Sequence, residues 1–145
     1  MQRSPILFIV AAAILLAIGL VHGFDEKEVM AKFMESAEAC MPEVGATDAD
    51  MQEVAKRMPA STYAGKCLRA CVMKKCGVMD ANGKMDKAAG QEKAKQYTGN
   101  DPAKLKMAME IADTCSAISV PDDHCEAAES YGACFKSEAT KHGLV

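Results

Sequence analysis

The sequence predicts an all-α domain of about six short helices, exported from the cell and cross-linked by disulfides. Three observations carry that expectation. Apolar residues recur at helical spacing through most of the chain, in a background of Ala, Lys, Glu and Met, which are good helix formers. No β-branched run competes as a strand. A leader with an uncharged apolar run is followed by seven cysteines, a pairing typical of the oxidising secretory pathway.

Asp25 followed by Glu28 forms a capping-box pattern. Behind it Met30, Phe33, Met34, Ala37 and Met41 share one face of a first helix, which Gly45 ends. Asp48 or Asp50 caps a short second helix running through Arg57 and closed by Pro59. Ser61 or Thr62 opens a third, carrying Cys67, Cys71 and Cys76. Gly77 to Gly83 is a turn region, with Asp80-Ala81-Asn82-Gly83 its strongest signal. A fourth helix runs from about Met85 to Tyr97, weakly interrupted by Gly90. Asp101 and Pro102 form a cap and first-turn proline, launching a fifth helix to about Cys115 that Ser119-Val120-Pro121 ends. Asp122 or Asp123 caps a sixth to about Ala139, and Lys141 to Val145 form a short tail.

Residues 5–20 carry no charge and follow Arg3, matching the apolar segment and basic flank of a signal peptide. Val21-His22-Gly23 offers a cut after Gly23. Residues 1–23 then form the signal peptide, and 24–145 one mature domain beginning at Phe24. A membrane-spanning helix needs about 20 apolar residues; this run falls short, so no stable membrane insertion is expected. The leader holds one charge, so the mature formal charge is 16 − 20, or −4. Without clustered Lys and Arg the chain is not built for nucleic acid or for anionic lipid.

Cys67 and Cys71 lie four apart on one helix, so both project from one face toward neighbouring elements. Cys125 and Cys134 are nine apart, about 180° around a helix, and so bond to partners on opposite sides. Six cysteines pair in fifteen ways, which spacing alone leaves open. One is left over. Omitting Cys76, the intervals are 26, 3, 43, 9 and 8 residues.

That pattern resembles the six-cysteine signature of insect odorant-binding proteins, over the whole mature chain. Cys67-Leu-Arg-Ala-Cys71 and the eight-residue gap from Cys125 to Cys134 are its most specific parts. The resemblance implies the interlocked pairing Cys40–Cys71, Cys67–Cys125 and Cys115–Cys134. It also implies helices enclosing an apolar cavity for small volatile or lipid-like ligands, which periodicity does not show. Cys76 departs from the pattern. A small buried hydrophobe with a free thiol is its simplest reading, with intermolecular pairing or exchange as alternatives; three residues past Met73, it falls on a face shared with that residue and toward the ligand.

Catalytic chemistry finds little support. Cys67, Cys71 and Cys76 sit on one helix without the paired units of a zinc site, so no metal is expected. Asp80-Ala-Asn82-Gly83 lacks the remaining ligands of a calcium loop. His124 and His142 are the mature chain's only histidines, and no G-x-S-x-G, H-E-x-x-H or P-loop is present. No enzyme activity and no cofactor are expected.

A carrier site is concave and mostly apolar, and eleven methionines suit one, because flexible thioethers repack around varied shapes. Matching the wall positions of the resembled family points to Met73, Val78, Met85 and Phe135. Helical face adds Phe33, Met34, Ala108, Met109, Ala112 and Tyr131, the last offering a hydroxyl to a ligand or to backbone. The apolar end of the tail, Leu144 and Val145, is placed over the pocket, with His142 loosening it on acidification; a frayed terminus is the alternative. The function so implied is a secreted carrier of small hydrophobic odorants or semiochemicals, in sensillum lymph or another secreted fluid. The expected form is a monomer or weak homodimer, with a sensory-neuron receptor as a further partner. Alternatives are a carrier or buffer of the same fold serving other lipophilic ligands outside olfaction, and a peptide acting directly on a receptor or membrane.

Overall fold

The computed structural model describes residues 26–99 and 101–143. Six helices follow in order: α1 Glu26–Val44, α2 Asp48–Ala55, α3 Tyr63–Lys75, α4 Lys87–Tyr97, α5 Pro102–Ser116 and α6 His124–Lys141. The leader with its expected cut, Asp25 of the first capping pattern, and Leu144 and Val145 lie outside the described residues. No helix among those described is long and apolar enough to cross a membrane.

The helices from α2 to α6 each start where an oxygen-bearing side chain satisfies free N–H groups. Thr62 caps α3 by accepting from Gly65 N, and Asp86 caps α4 through Ala89 N. Asp101 accepts from Ala103 and Lys104 N ahead of Pro102, and Asp123 from Cys125 and Glu126 N. The second helix is capped by Thr47 rather than Asp48 or Asp50. Asp50 is instead the far member of its capping box, its Oδ2 accepting from Thr47 N at 2.8 Å. Asp50 is also the one buried charged residue among those described, and Thr62 donates its hydroxyl to it. That contact joins the starts of α2 and α3.

The second helix ends earlier than the sequence suggests, at Ala55. Arg57 N donates to Val54 O and Met58 N to Glu53 O, the bond pair of a Schellman cap. The cap puts Arg57 at φ 56, the left-handed region where glycine is usual. A side chain there costs about 1–2 kcal/mol, and Arg57 is the one non-glycine in that region among the described residues.

α3 and α6 pack along each other most extensively. α1 and α2 lie against α3, while α5 bridges α6 and α4. Two apolar clusters result. Ala37, Cys40, Leu68 and Val72 join α1 to α3. Ala70, Met79, Ala127, Ala128 and Tyr131 join α3 to α6 and the turn, with Met73, Met85 and Phe135 packed around them. An isolated antiparallel bridge between Met79 and Met85 closes that turn.

The three disulfides are Cys40–Cys71, Cys67–Cys125 and Cys115–Cys134, the pairing the resemblance implied. They link α1 to α3, α3 to α6, and α5 to α6. Their separations of 31, 58 and 19 residues overlap in series. Restricting the unfolded chain over such loops is worth about 3–4 kcal/mol each.

Candidate ligand-binding site

α3 separates two clefts. Cys67, Ala70, Cys71 and Lys74, at positions i, i+3, i+4 and i+7, face one of about 450 Å³, completed by Glu43 and Val44 of α1 and His124 and Cys125 of α6. Disulfide sulfur backs this cleft and charge surrounds it. Lys75 pairs with Glu43 at 3.1 Å, and Lys74 Nζ lies 2.6 Å from His124 Nδ1, which therefore accepts. Glu43 also approaches Cys40 and Cys71 closely enough to suggest a metal trio. Both sulfurs are oxidised in their bridge and offer no thiolate ligand.

Arg69 and Met73, four apart on another face of α3, line a second cavity of about 420 Å³. That volume lies within the usual range of about 300–1,000 Å³ for small-molecule sites. Phe33 of α1, Val54 of α2, and Met58 and Pro59 of the α2–α3 link supply apolar wall. α6 adds Gly132, Ala133, Phe135 and Ala139 along one helical face. Met73 packs over Gly132, where even a Cβ would sit 3.9 Å from its methyl, an ordinary contact. Of the two clefts, only this wall matches an apolar ligand.

The mouth of the cavity is polar. Arg57, Arg69 and Lys136 face it with one carboxylate, Glu129. Glu129 Oε2 takes Arg69 Nη1 at 3.3 Å, and its Oε1 accepts from Ala60 N at 2.9 Å. Arg69 also donates to Met58 O, so the pair clamps the α2–α3 link onto α3 and α6. Lys136 Nζ donates to Arg57 O at 3.1 Å.

Among the sequence-derived site residues, Phe33, Met73 and Phe135 come together in this wall. Met85 and Tyr131 lie behind it in the α3–α6 cluster. Tyr131 is 3% exposed and accepts from Met85 N at 3.1 Å. Its hydroxyl thus serves the backbone, as a buried phenol must find a partner. Met34, Val78, Ala108, Met109 and Ala112 lie outside the wall. Ala112 is buried on α5, which packs between α4 and α6 and gives the cavity no residue. His142 caps the end of α6, 3.8 Å from Glu110.

Cys76 is a free, half-buried thiol. It packs on the α1–α3 cluster rather than in the cavity. Burial pushes the thiol above the usual cysteine range, against Ser36 and Lys93, which pull it down.

The model of the PBP/GOBP family matches residues 23–138. The chain belongs to the PBP/GOBP family. It is similar to general odorant-binding protein 28a of Drosophila melanogaster, 71% identical over 145 residues and covering 100% of both chains. The solved structure of odorant-binding protein dmelOBP28a from that fly superposes with a TM-score of 0.74 at 77% identity, covering 83% of this chain and 100% of that one. A pheromone-binding protein of the cockroach Leucophaea maderae, solved with the fluorescent reporter ANS, shares the fold at 23% identity. Its TM-score is 0.58, with 77% of this chain and 92% of that one covered. As a PBP/GOBP protein the chain is an odorant-binding carrier of small hydrophobic ligands, in a family of secreted extracellular proteins rather than enzymes.

Proposed function

We propose that the cavity between α1, the α2–α3 link, α3 and α6 captures small hydrophobic odorants or semiochemicals in a secreted sensory fluid and later releases them. The observation carrying this is the apolar wall of Phe33, Val54, Met58, Pro59, Met73 and Phe135 around about 420 Å³. Capture needs no covalent step. Each CH₂ removed from water contributes about 0.8 kcal/mol before association costs, so a dodecyl chain reaches micromolar affinity without a hydrogen bond. Met58 and Met73 can repack around different shapes, which favours broad selectivity.

The acting form in this reading is the mature chain from Phe24, released by a cut after Gly23. It hands its cargo to a sensory-neuron receptor as a monomer or weak dimer. Displacement of a neutral fluorescent probe by homologous alcohols and esters tests the carrier reading. Affinity is expected to rise with chain length and then level off where the cavity is full. Negligible displacement across the series overturns it.

A further inference from the structure

The cavity wall is not uniform in what holds it. Phe33, Met73 and Phe135 stand on α1, α3 and α6, helices joined by Cys40–Cys71 and Cys67–Cys125. The one non-helical stretch of the wall is Arg57, Met58 and Pro59 of the α2–α3 link. Neither apolar cluster takes a residue from 56 to 62. Met58 lines the cavity and is nevertheless 47% exposed, so a single layer of chain separates ligand from water there.

Hydrogen bonds at the surface hold this strap down. Ala60 N and Ser61 N donate to Glu129 Oε1 and Glu53 Oε2 at 2.9 and 3.1 Å. Arg69 donates to Met58 O, and Lys136 to Arg57 O. Water replaces such bonds at little net cost, whereas α3 and α6 are covalently joined.

Two costs of the closed arrangement fall on the same strap. Arg57 sits at φ 56, in the left-handed region that disfavours any side chain. Nε of Arg69, the residue that holds Met58 O, is buried without a hydrogen-bond partner, the one such side-chain nitrogen or oxygen among the described residues. A buried orphan donor is destabilising until water reaches it. Lifting the strap relieves both. Strain of this kind gathers at ligand clamps and switch regions.

We infer that residues 57–61 form the gate by which ligand enters and leaves, with Arg69 and Glu129 as its latch. This rests on the carrier reading of the same cavity and adds its route and its kinetics. Cargo resting on Met58 and Pro59 gives the closed strap apolar contact that the empty protein lacks, so occupancy favours closure. Release then needs only the strap to lift, on the microsecond-to-millisecond scale typical of lids, with the cross-linked helices in place.

Stopped-flow mixing of the disulfide-intact mature protein with the neutral probe N-phenylnaphthylamine measures association and dissociation rates, and a thermal melt checks each variant's folding. Glu129→Gln weakens the latch, and both rates are expected to rise about threefold. Arg57→Gly removes the strain and favours the closed strap, so both are expected to fall about threefold. Because opening serves entry and exit alike, the dissociation constant changes less than either rate. Saturating probe is expected to slow hydrogen exchange at the amides of Met58, Ala60 and Ser61. Should Glu129→Gln fail to fold, Arg57→Gly decides alone, since glycine suits that backbone. Rates unmoved in Arg57→Gly, one rate changing without the other, or exchange at those amides unaltered by probe overturns the gate and leaves the carrier reading intact. Failure of the probe to bind at all overturns both.

Discussion

The two clefts beside α3 enclose similar volumes, about 450 and 420 Å³, but their walls are fixed by different means. The first is covalent. Cys67–Cys125 and the Cys71 end of Cys40–Cys71 form its floor. Tyr63 bonded to Asp123 at 2.7 Å and Lys66 paired with Glu126 at 3.0 Å tie the same two helix ends. No disulfide sulfur lines the second. Its wall is Met, Phe and Pro, and its link is held by the Arg69–Glu129 clamp and the Asp50–Thr62 contact. The scaffold is thus rigid behind the site and adjustable within it. That division suits a carrier, which needs a stable fold and a compliant wall.

Breaking the covalent side has the largest expected effect. Changing Cys67 and Cys125 together to Ser removes a cross-link of 58 residues' separation and is expected to cost about 4 kcal/mol. Denaturant unfolding under non-reducing conditions measures it. A loss below about 1 kcal/mol would show that the ion pair and caps at these helix ends hold α3 to α6 unaided.

How the two sides were legible follows the same division. Caps such as Asp101 and Asp123, the stop at Gly45, and the opposed directions of Cys125 and Cys134 are local or periodic facts, and they appear in the fold as read. Phe135 is implied as a wall residue by the resemblance to the family, a match that its adjacency to Cys134 anchors. The α2–α3 link was missed, because its path depends on Arg57 adopting a conformation that glycine announces and arginine does not. Val54, Met58 and Pro59 enter the wall only once that turn is made. Arg69 could have been found from Met73, four residues on, and Lys136 from its neighbours on α6. Tyr131, four residues before Phe135, shares a helix face with it, yet a hydroxyl that must be satisfied in the core sends it to Met85 N.

A smaller change sharpens the separation of the two sides. Gly83 has φ +73, and a Cβ there would lie 2.4 Å from His124 Cδ2. Gly83→Ala therefore forces both a strained backbone and a shift of the His124 ring, at an expected cost of about 2 kcal/mol. His124 belongs to the polar cleft, so thermal stability should fall while probe affinity at the apolar cavity holds. Affinity falling in step with stability would mean that the clefts are coupled through α3.

The mildest prediction concerns the non-covalent side and acid. Hydrogen bonds from Thr47 N, then the Thr62 and Thr47 hydroxyls, hold the Asp50 carboxyl below its ordinary value of 3.8, outweighing burial, which pushes it up. A carboxylate held low in the folded state contributes stability that is complete above its unfolded value. The contribution is lost as pH falls through the lower folded value. Asp50→Asn keeps the shape and abolishes that titration, so the stability advantage of the unaltered protein should be constant near neutrality and shrink below about pH 4. The expected advantage is about 1 kcal/mol, the worth of a helix-start contact. Because Asp50 holds Thr62, and the 57–61 link lies between their helices, acid should loosen the lip carrying Met58 and Pro59 before it reaches the disulfide-backed cleft. Hydrogen exchange at acidic pH would show this as earlier opening of the amides of residues 57, 58, 60 and 61 than of amides near Cys67, and the reverse order would assign the weaker side to the cross-linked cleft.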